Sequence, residues 1–139
     1  MFFDVTKKEQ CHRSSTAQIN IILNNKIIMV MNMTKQELKD YPYLFPAIER
    51  YEKELTELSA DYKRNEKRII ELRAKINDYH ERIHNCELFF ESIEDIQTRQ
   101  IFELRYIHRM KWSDIAAHIG GYNTPDTVRM ICCRYLKKT

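Results

Sequence analysis

From Ala47 to Glu91 the chain holds neither glycine nor proline, and an apolar residue returns every three or four positions. With Ile48 as heptad position a, the a positions are Ile48, Leu55, Tyr62, Ile69, Ile76, Ile83 and Phe90. The d positions are Tyr51, Leu58, Asn65, Leu72, Tyr79, Cys86 and Ile93, and only Asn65 is strongly polar. An alternation this regular predicts a coiled coil. At ~1.5 Å per residue a helix over this stretch reaches roughly 68 Å. A helix of that length cannot bury its stripe on one small domain. The simplest partner is a second copy, so Ile48, Tyr51, Leu55, Leu58, Tyr62, Asn65, Ile69, Leu72, Ile76, Tyr79 and Ile83 form the expected seam of a homodimer. The alternative is an intramolecular hairpin in which the seam packs against itself or the C-terminal helices, although no Gly or Pro is present to turn the chain.

Charges beside the seam bear on orientation. A parallel dimer sets Asp61 against Glu66 and Arg68 against Arg73. An antiparallel dimer centred near Arg68 sets Glu54 against Arg82, Asp61 against Lys75 and Glu66 against Arg73. Each exposed pair is worth only ~0.3–0.5 kcal/mol, but several together choose between arrangements with similar cores. They favour antiparallel. Ile at a with Leu at d favours parallel, where Asn65 would serve as a register-fixing polar layer.

The segment ahead of the heptads and the one behind it read differently. Thr34 with Glu37 makes a capping box, so a short helix starts there. Tyr41-Pro42 is expected to end it, because a residue before proline is pushed out of the helical region. Pro46 would open the long helix, and Ser92 with Asp95 would start a new one. Ile101 to Leu136 then reads as three short helices. The first carries Ile101, Phe102, Leu104, Tyr106 and Ile107 and ends near Met110. Ser113 is the expected cap of the second, which buries Ile115, Ala116 and Ile119 and stops at Gly120. Thr124 caps the third, with Pro125 at a first position where its missing N–H costs nothing. Val128, Ile131, Cys132 and Tyr135 make one apolar stripe on that helix. Trp112 is expected to plug the small core. Two short helices joined by a glycine turn, the second one basic, form the pattern of a helix-turn-helix.

The runs LRYIHRMKWSDIAAHIG and TVRMICCRYLKK resemble region four of bacterial sigma factors. Together with Met33-Thr34-Lys35-Gln36-Glu37-Leu38 and Tyr41-Pro42-Tyr43-Leu44, they also resemble small phage and prophage sigma-like transcriptional regulators. The resemblance covers Met33 to Lys138. It implies a DNA-reading third helix and a contact with RNA polymerase. The chain departs from the pattern between Gly120 and Thr127, where about two extra residues loosen the turn. Nothing in it resembles a promoter-melting region.

Composition narrows the function. Gly occurs only at 120 and 121 in 139 residues, which points to an almost wholly helical chain. From Arg99 onward eight Lys/Arg face three Asp/Glu, a net +5, while Met33 to Asp95 carries eleven against fifteen, a net −4. A basic end on a near-neutral body suits phosphate contact by that end. Cys11, Cys86, Cys132 and Cys133 form no C-x-x-C pair and read as reduced thiols of a cytoplasmic protein. His80 and His84 sit four apart on a charged helix, where solvated imidazoles are the ordinary outcome, and no metal or cofactor is expected. No phosphate loop or nucleophile turn suggests an enzyme. The leader, residues 1–32, carries INIILNNKIIMVM, readable as a small two-stranded hairpin. It is too broken for a membrane span and lacks a cleavage site. Met31 or Met33 is the expected start of the working protein.

The sequence therefore predicts an all-α protein: the leader, a short helix plus a long coiled-coil helix over 33–93, and a three-helix helix-turn-helix domain over 94–139. The expected function is a sequence-specific regulator binding double-stranded DNA. Thr127, Arg129 and Arg134 would reach base edges or nearby phosphates, and Lys111, Lys137 and Lys138 would contact phosphates. Thr124, Asp126, Met130 and Cys133 complete the expected DNA-facing set. A DNA-packaging recognition subunit and a helical protein adaptor are the alternatives.

Overall fold

The computed structural model describes residues 32–138; the two-stranded hairpin expected in the leader and the start expected at Met31 lie outside them, and of the leader only Asn32 is described. Among the described residues there are helices and no strands, as an all-α chain requires. Helix α1 spans Lys35–Leu58, α2 Tyr62–Ser92, α3 Ile96–Phe102, α4 Trp112–Ile119 and α5 Pro125–Lys138. A 3-10 turn, Ser59–Asp61, joins α1 to α2, and a π turn, Glu103–Ile107, continues α3.

The capping box forms as its residues predict. The Glu37 N–H donates to Thr34 Oγ1 at 3.2 Å, and the Thr34 N–H donates to Glu37 Oε2 at 2.7 Å. The helix it starts does not end at Tyr41. It runs through Pro42 and Pro46 to Leu58. An internal proline costs about 3 kcal/mol. Leu38, Tyr41, Leu44 and Ile48 are all buried on one face of α1, and each large apolar side chain so placed contributes about 1.5–3 kcal/mol. That face offsets both prolines, which is why tertiary packing overrides the local preference.

The expected long helix is two helices folded back on each other. Arg68 donates to Glu54 through Nε at 2.8 Å and Nη2 at 3.2 Å, and Arg82 Nη2 donates to Asp40 Oδ2 at 3.0 Å. Both contacts lie across an antiparallel pair centred on the Ser59–Asp61 turn. The Tyr51 and Tyr79 rings lie 5.8 Å apart, and Tyr41 meets Phe90 edge-on at 5.6 Å. The heptad seam is therefore closed within one chain. Ile48, Ile69, Leu72 and Ile83 are buried in it, and Tyr51, Leu55, Leu58, Ile76 and Tyr79 are half-buried. Tyr62 departs from the expectation: at the turn it is 45% exposed. The dimer seam is corrected to an intramolecular one, and the pairing of Glu54 with Arg82 is replaced by Glu54 with Arg68.

Polar side chains make the turn in place of Gly or Pro. Ser59 Oγ donates to the Leu55 carbonyl at 2.6 Å, and Asp61 accepts from the Arg64 N–H at 3.4 Å. Asn65 Nδ2 donates to the carbonyls of Leu58 at 3.2 Å and Asp61 at 3.1 Å. Carbonyls at a helix end have no partner within the helix. Asn65, the polar residue of the heptad, supplies one and binds the end of α1 to the start of α2.

After α2 the chain is extended at Ile93, and Asp95 alone caps α3, accepting from the Thr98 N–H at 2.9 Å. Ser92 is not part of that cap; its hydroxyl donates back to Phe89 at 2.6 Å. Phe89 is wholly buried between the hairpin and the C-terminal helices. Its ring lies 5.4 Å from Phe102 and 6.0 Å from Tyr135, and Phe102 lies 5.6 Å from Tyr135. One core thus runs from Met33 and Leu38 through Phe89, Ile93 and Phe102 to Ile115, Val128 and Cys132.

Candidate nucleic-acid interface

Two helices, α4 and α5, build the candidate site. Lys111 precedes α4 and contributes no side-chain cap, so the expected cap at Ser113 is not used; the helix already starts at Trp112. Trp112 is half-buried at the edge of the core, with the Arg105 guanidinium 4.4 Å from its ring centroid. Ile115 and Ala116 are buried, Ile119 packs at the core's edge, and Gly120 ends the helix at φ 76°. Gly121 follows at φ 67°. Residues with a Cβ pay roughly 1–2 kcal/mol in that region, so two glycines in succession let the chain reverse. Asn123 Nδ2 donates to the Gly120 carbonyl at 2.9 Å and closes the turn.

The start of α5 follows the sequence. The Thr127 N–H donates to Thr124 Oγ1 at 3.2 Å, and Pro125 is the first helical residue. Val128 and Cys132 are buried, while Ile131 and Tyr135 pack at the edge of the core. At 100° per residue, the side opposite that stripe carries Asp126, Met130, Cys133 and Lys137. Arg129 lies on one flank, and Thr127, Arg134 and Lys138 lie on the other. All of these are exposed except Cys133, which is half-buried.

Two of the expected contact residues are tied down locally. The Thr127 hydroxyl shares a hydrogen bond of 2.8 Å with that of Thr124. Arg129 Nη2 lies 3.6 Å from Asp126 Oδ1, a long and exposed pair that binds Arg129 weakly. Arg134, Lys137 and Lys138 make no ion pair among the described residues, and Arg134 and Lys138 border a depression of about 210 Å³ beside Thr98 and Ile131. Lys111 is exposed at the foot of α4. Thr124 to Lys138 lie on one helix and its cap, and Lys111 stands just before the start of α4.

Burial raises the Cys132 thiol to about 12, with the neighbouring Cys133 adding to the shift, and burial likewise raises the Tyr106 hydroxyl to about 12. Both are core groups with no acid–base role near neutral pH. No group of three His, Cys, Asp or Glu side chains suited to a metal ion occurs among the described residues. No described helix is long and apolar enough to cross a membrane.

Sequence reading missed Arg105, Arg109 and Tyr122. Tyr122 is fully exposed in the turn between α4 and α5. Arg109 has φ 58°, the one non-glycine residue with positive φ among those described. Its guanidinium lies 4.9 Å from the Tyr43 ring and donates to the Tyr43 hydroxyl at 3.2 Å. No periodic signal marks a contact between residues so far apart in the chain. The chain matches no protein-family model, no curated protein and no solved structure.

Proposed function

We propose that the protein is a sequence-specific, double-stranded-DNA-binding transcriptional regulator of the phage or prophage sigma-like kind, with α4 and α5 as its helix-turn-helix. One observation carries the reading. Helix α5 is docked by a single stripe, and its opposite side is open, at the end of the chain where positive charge is concentrated. A helix presented in this way enters the major groove, and its N-terminal residues reach base edges. Asp126, Arg129 and Met130 occupy that end. Arg is the usual bidentate partner of guanine, and Asp accepts from cytosine N4. Lys137 and Lys138, two turns or more further on, suit phosphates, as does Lys111. The resemblance adds a contact with RNA polymerase.

The test is selection of a preferred site from random duplexes, followed by titration of variants against that site and an unrelated duplex. Arg129→Ala is expected to lose ~1–3 kcal/mol on the selected site only, and Lys138→Ala to weaken both duplexes about equally. If no site is enriched and neither variant changes duplex affinity at moderate salt, the reading falls.

A further inference from the structure

A second surface lies between α1 and the π turn, on helices that the DNA-reading proposal does not use. A groove of about 390 Å³ opens there, a size in the range of pockets that hold small ligands or side chains, ~300–1,000 Å³. Its floor is apolar: Leu38 and Tyr106 are buried, and Pro42 is half-buried. Lys39, Arg105 and Arg109 stand around it. None of the three forms an ion pair among the described residues, whose carboxylates Asp40 and Glu103 pair instead with Arg82 and Arg99. Tyr43, 58% exposed, makes the wall.

The two arginines are fixed before any partner arrives. Arg105 Nη1 donates to the Met110 carbonyl at 2.9 Å while its guanidinium lies over Trp112. Arg109 is held in a backbone conformation that non-glycine residues rarely adopt, and the result is a guanidinium set across the groove on Tyr43. Strain of this kind persists where surrounding contacts over-determine it, commonly at binding sites. Three like charges around an apolar floor repel one another and are left uncompensated.

We propose that this groove receives a short acidic segment of a partner protein, with an apolar side chain on the Leu38–Pro42–Tyr106 floor and carboxylates on Lys39, Arg105 and Arg109. Arg presents a planar fork that matches a carboxylate, and its remaining donors are available for it. Duplex DNA fits less well. Its phosphates use cations alone, and the buried apolar floor of Leu38 and Tyr106 offers them nothing. The inference holds whether or not α5 reads DNA.

The test uses the full chain and a fluorescein-labelled peptide of leucines interspersed with glutamates, read by anisotropy at low salt. The same peptide with lysine for glutamate is the control. Arg109→Gly removes the cation, and glycine adopts this φ freely, so the variant should melt no lower than the parent. Lys39→Glu reverses an exposed charge. Saturable binding of the acidic peptide, at least tenfold weaker in both variants and absent for the lysine peptide, with backbone NMR shifts at Tyr43 and Arg109, is the expected result. Failure of the acidic peptide to bind, or equal binding by parent and variants, overturns the proposal. So does a loss of duplex or single-stranded DNA binding in the variants as large as the loss of peptide binding, since the groove would then belong to a nucleic-acid surface.

Discussion

The two ends of the α1–α2 hairpin are built from the same kind of heptad but are held by different means. At the base, Tyr41, Phe89 and Phe90 enter a core shared with α3, α4 and α5, and their rings meet edge to face. At the tip, only Ile69 and Leu72 are fully buried, and the seam is flanked by the Tyr51–Tyr79 contact and the Glu54–Arg68 pair. Two helices alone bury one narrow stripe each, whereas several helices surround a side chain. The base is therefore where the fold is decided, and the tip is where it opens first.

The largest expected effect tests that contrast directly. Phe89→Ala removes a wholly buried ring from the shared core and should cost about 3–5 kcal/mol, while Leu72→Ala, at a site that can collapse, should sit near the low end of the ~2–5 kcal/mol range. Urea melts measure both. Hydrogen exchange should show tip amides opening without global unfolding. Equal losses, with tip amides exchanging only by global unfolding, would remove the distinction between base and tip.

A smaller effect is expected at the turn. Asn65→Ala removes two hydrogen bonds, each worth ~0.5–1.5 kcal/mol, so a loss of about 1–3 kcal/mol is expected. Asn65→Leu goes further, because it also completes the apolar heptad. An extended, dimeric stalk should then compete with the hairpin and appear as a larger species in light scattering. A monomer with parental stability from both variants would show that the turn does not depend on Asn65.

The smallest effect concerns pH. The hydrogen bond and charge of Arg68 hold the Glu54 carboxyl below its usual range. Hydrogen bonds from Thr98 do the same for Asp95 at the cap of α3. A carboxyl lowered in the folded state adds stability above its unfolded value, ~4.3 for Glu, and loses it as pH falls through the folded value. Melting temperatures of the parent and Glu54→Gln should therefore differ slightly at neutral pH and converge below about pH 4. A difference that persists in acid would mean that the Glu54–Arg68 pair is not its source.

Much of the fold was legible because it is local. The capping box at Thr34 and Glu37, the cap at Thr124, the stop at Gly120 and the buried stripe of α5 each depend on residues within a turn or two of one another. So does the face of the heptad: Ile48, Ile69, Leu72 and Ile83 lie on the seam as their spacing requires. The candidate DNA-facing residues of α5 were legible for the same reason, as the remainder once the stripe is assigned. The contacts of Arg105 and Arg109 were not, because the Trp112 stack depends on how the π turn exits and the Tyr43 stack joins residues 66 apart in sequence.

The sequence by itself determined that this chain is helical, that Thr34 and Thr124 cap helices, and which side of each helix is apolar. Periodicity names a face but not what covers it. Only the tertiary structure decided that α1 continues through two prolines, that the heptad seam closes on itself and that Phe89 joins the hairpin to the C-terminal helices. The reason is competition. A partner tethered by a three-residue turn is present at an effective concentration of the order of mM, so a self-complementary stripe is taken by its own chain once Ser59, Asp61 and Asn65 satisfy the turn.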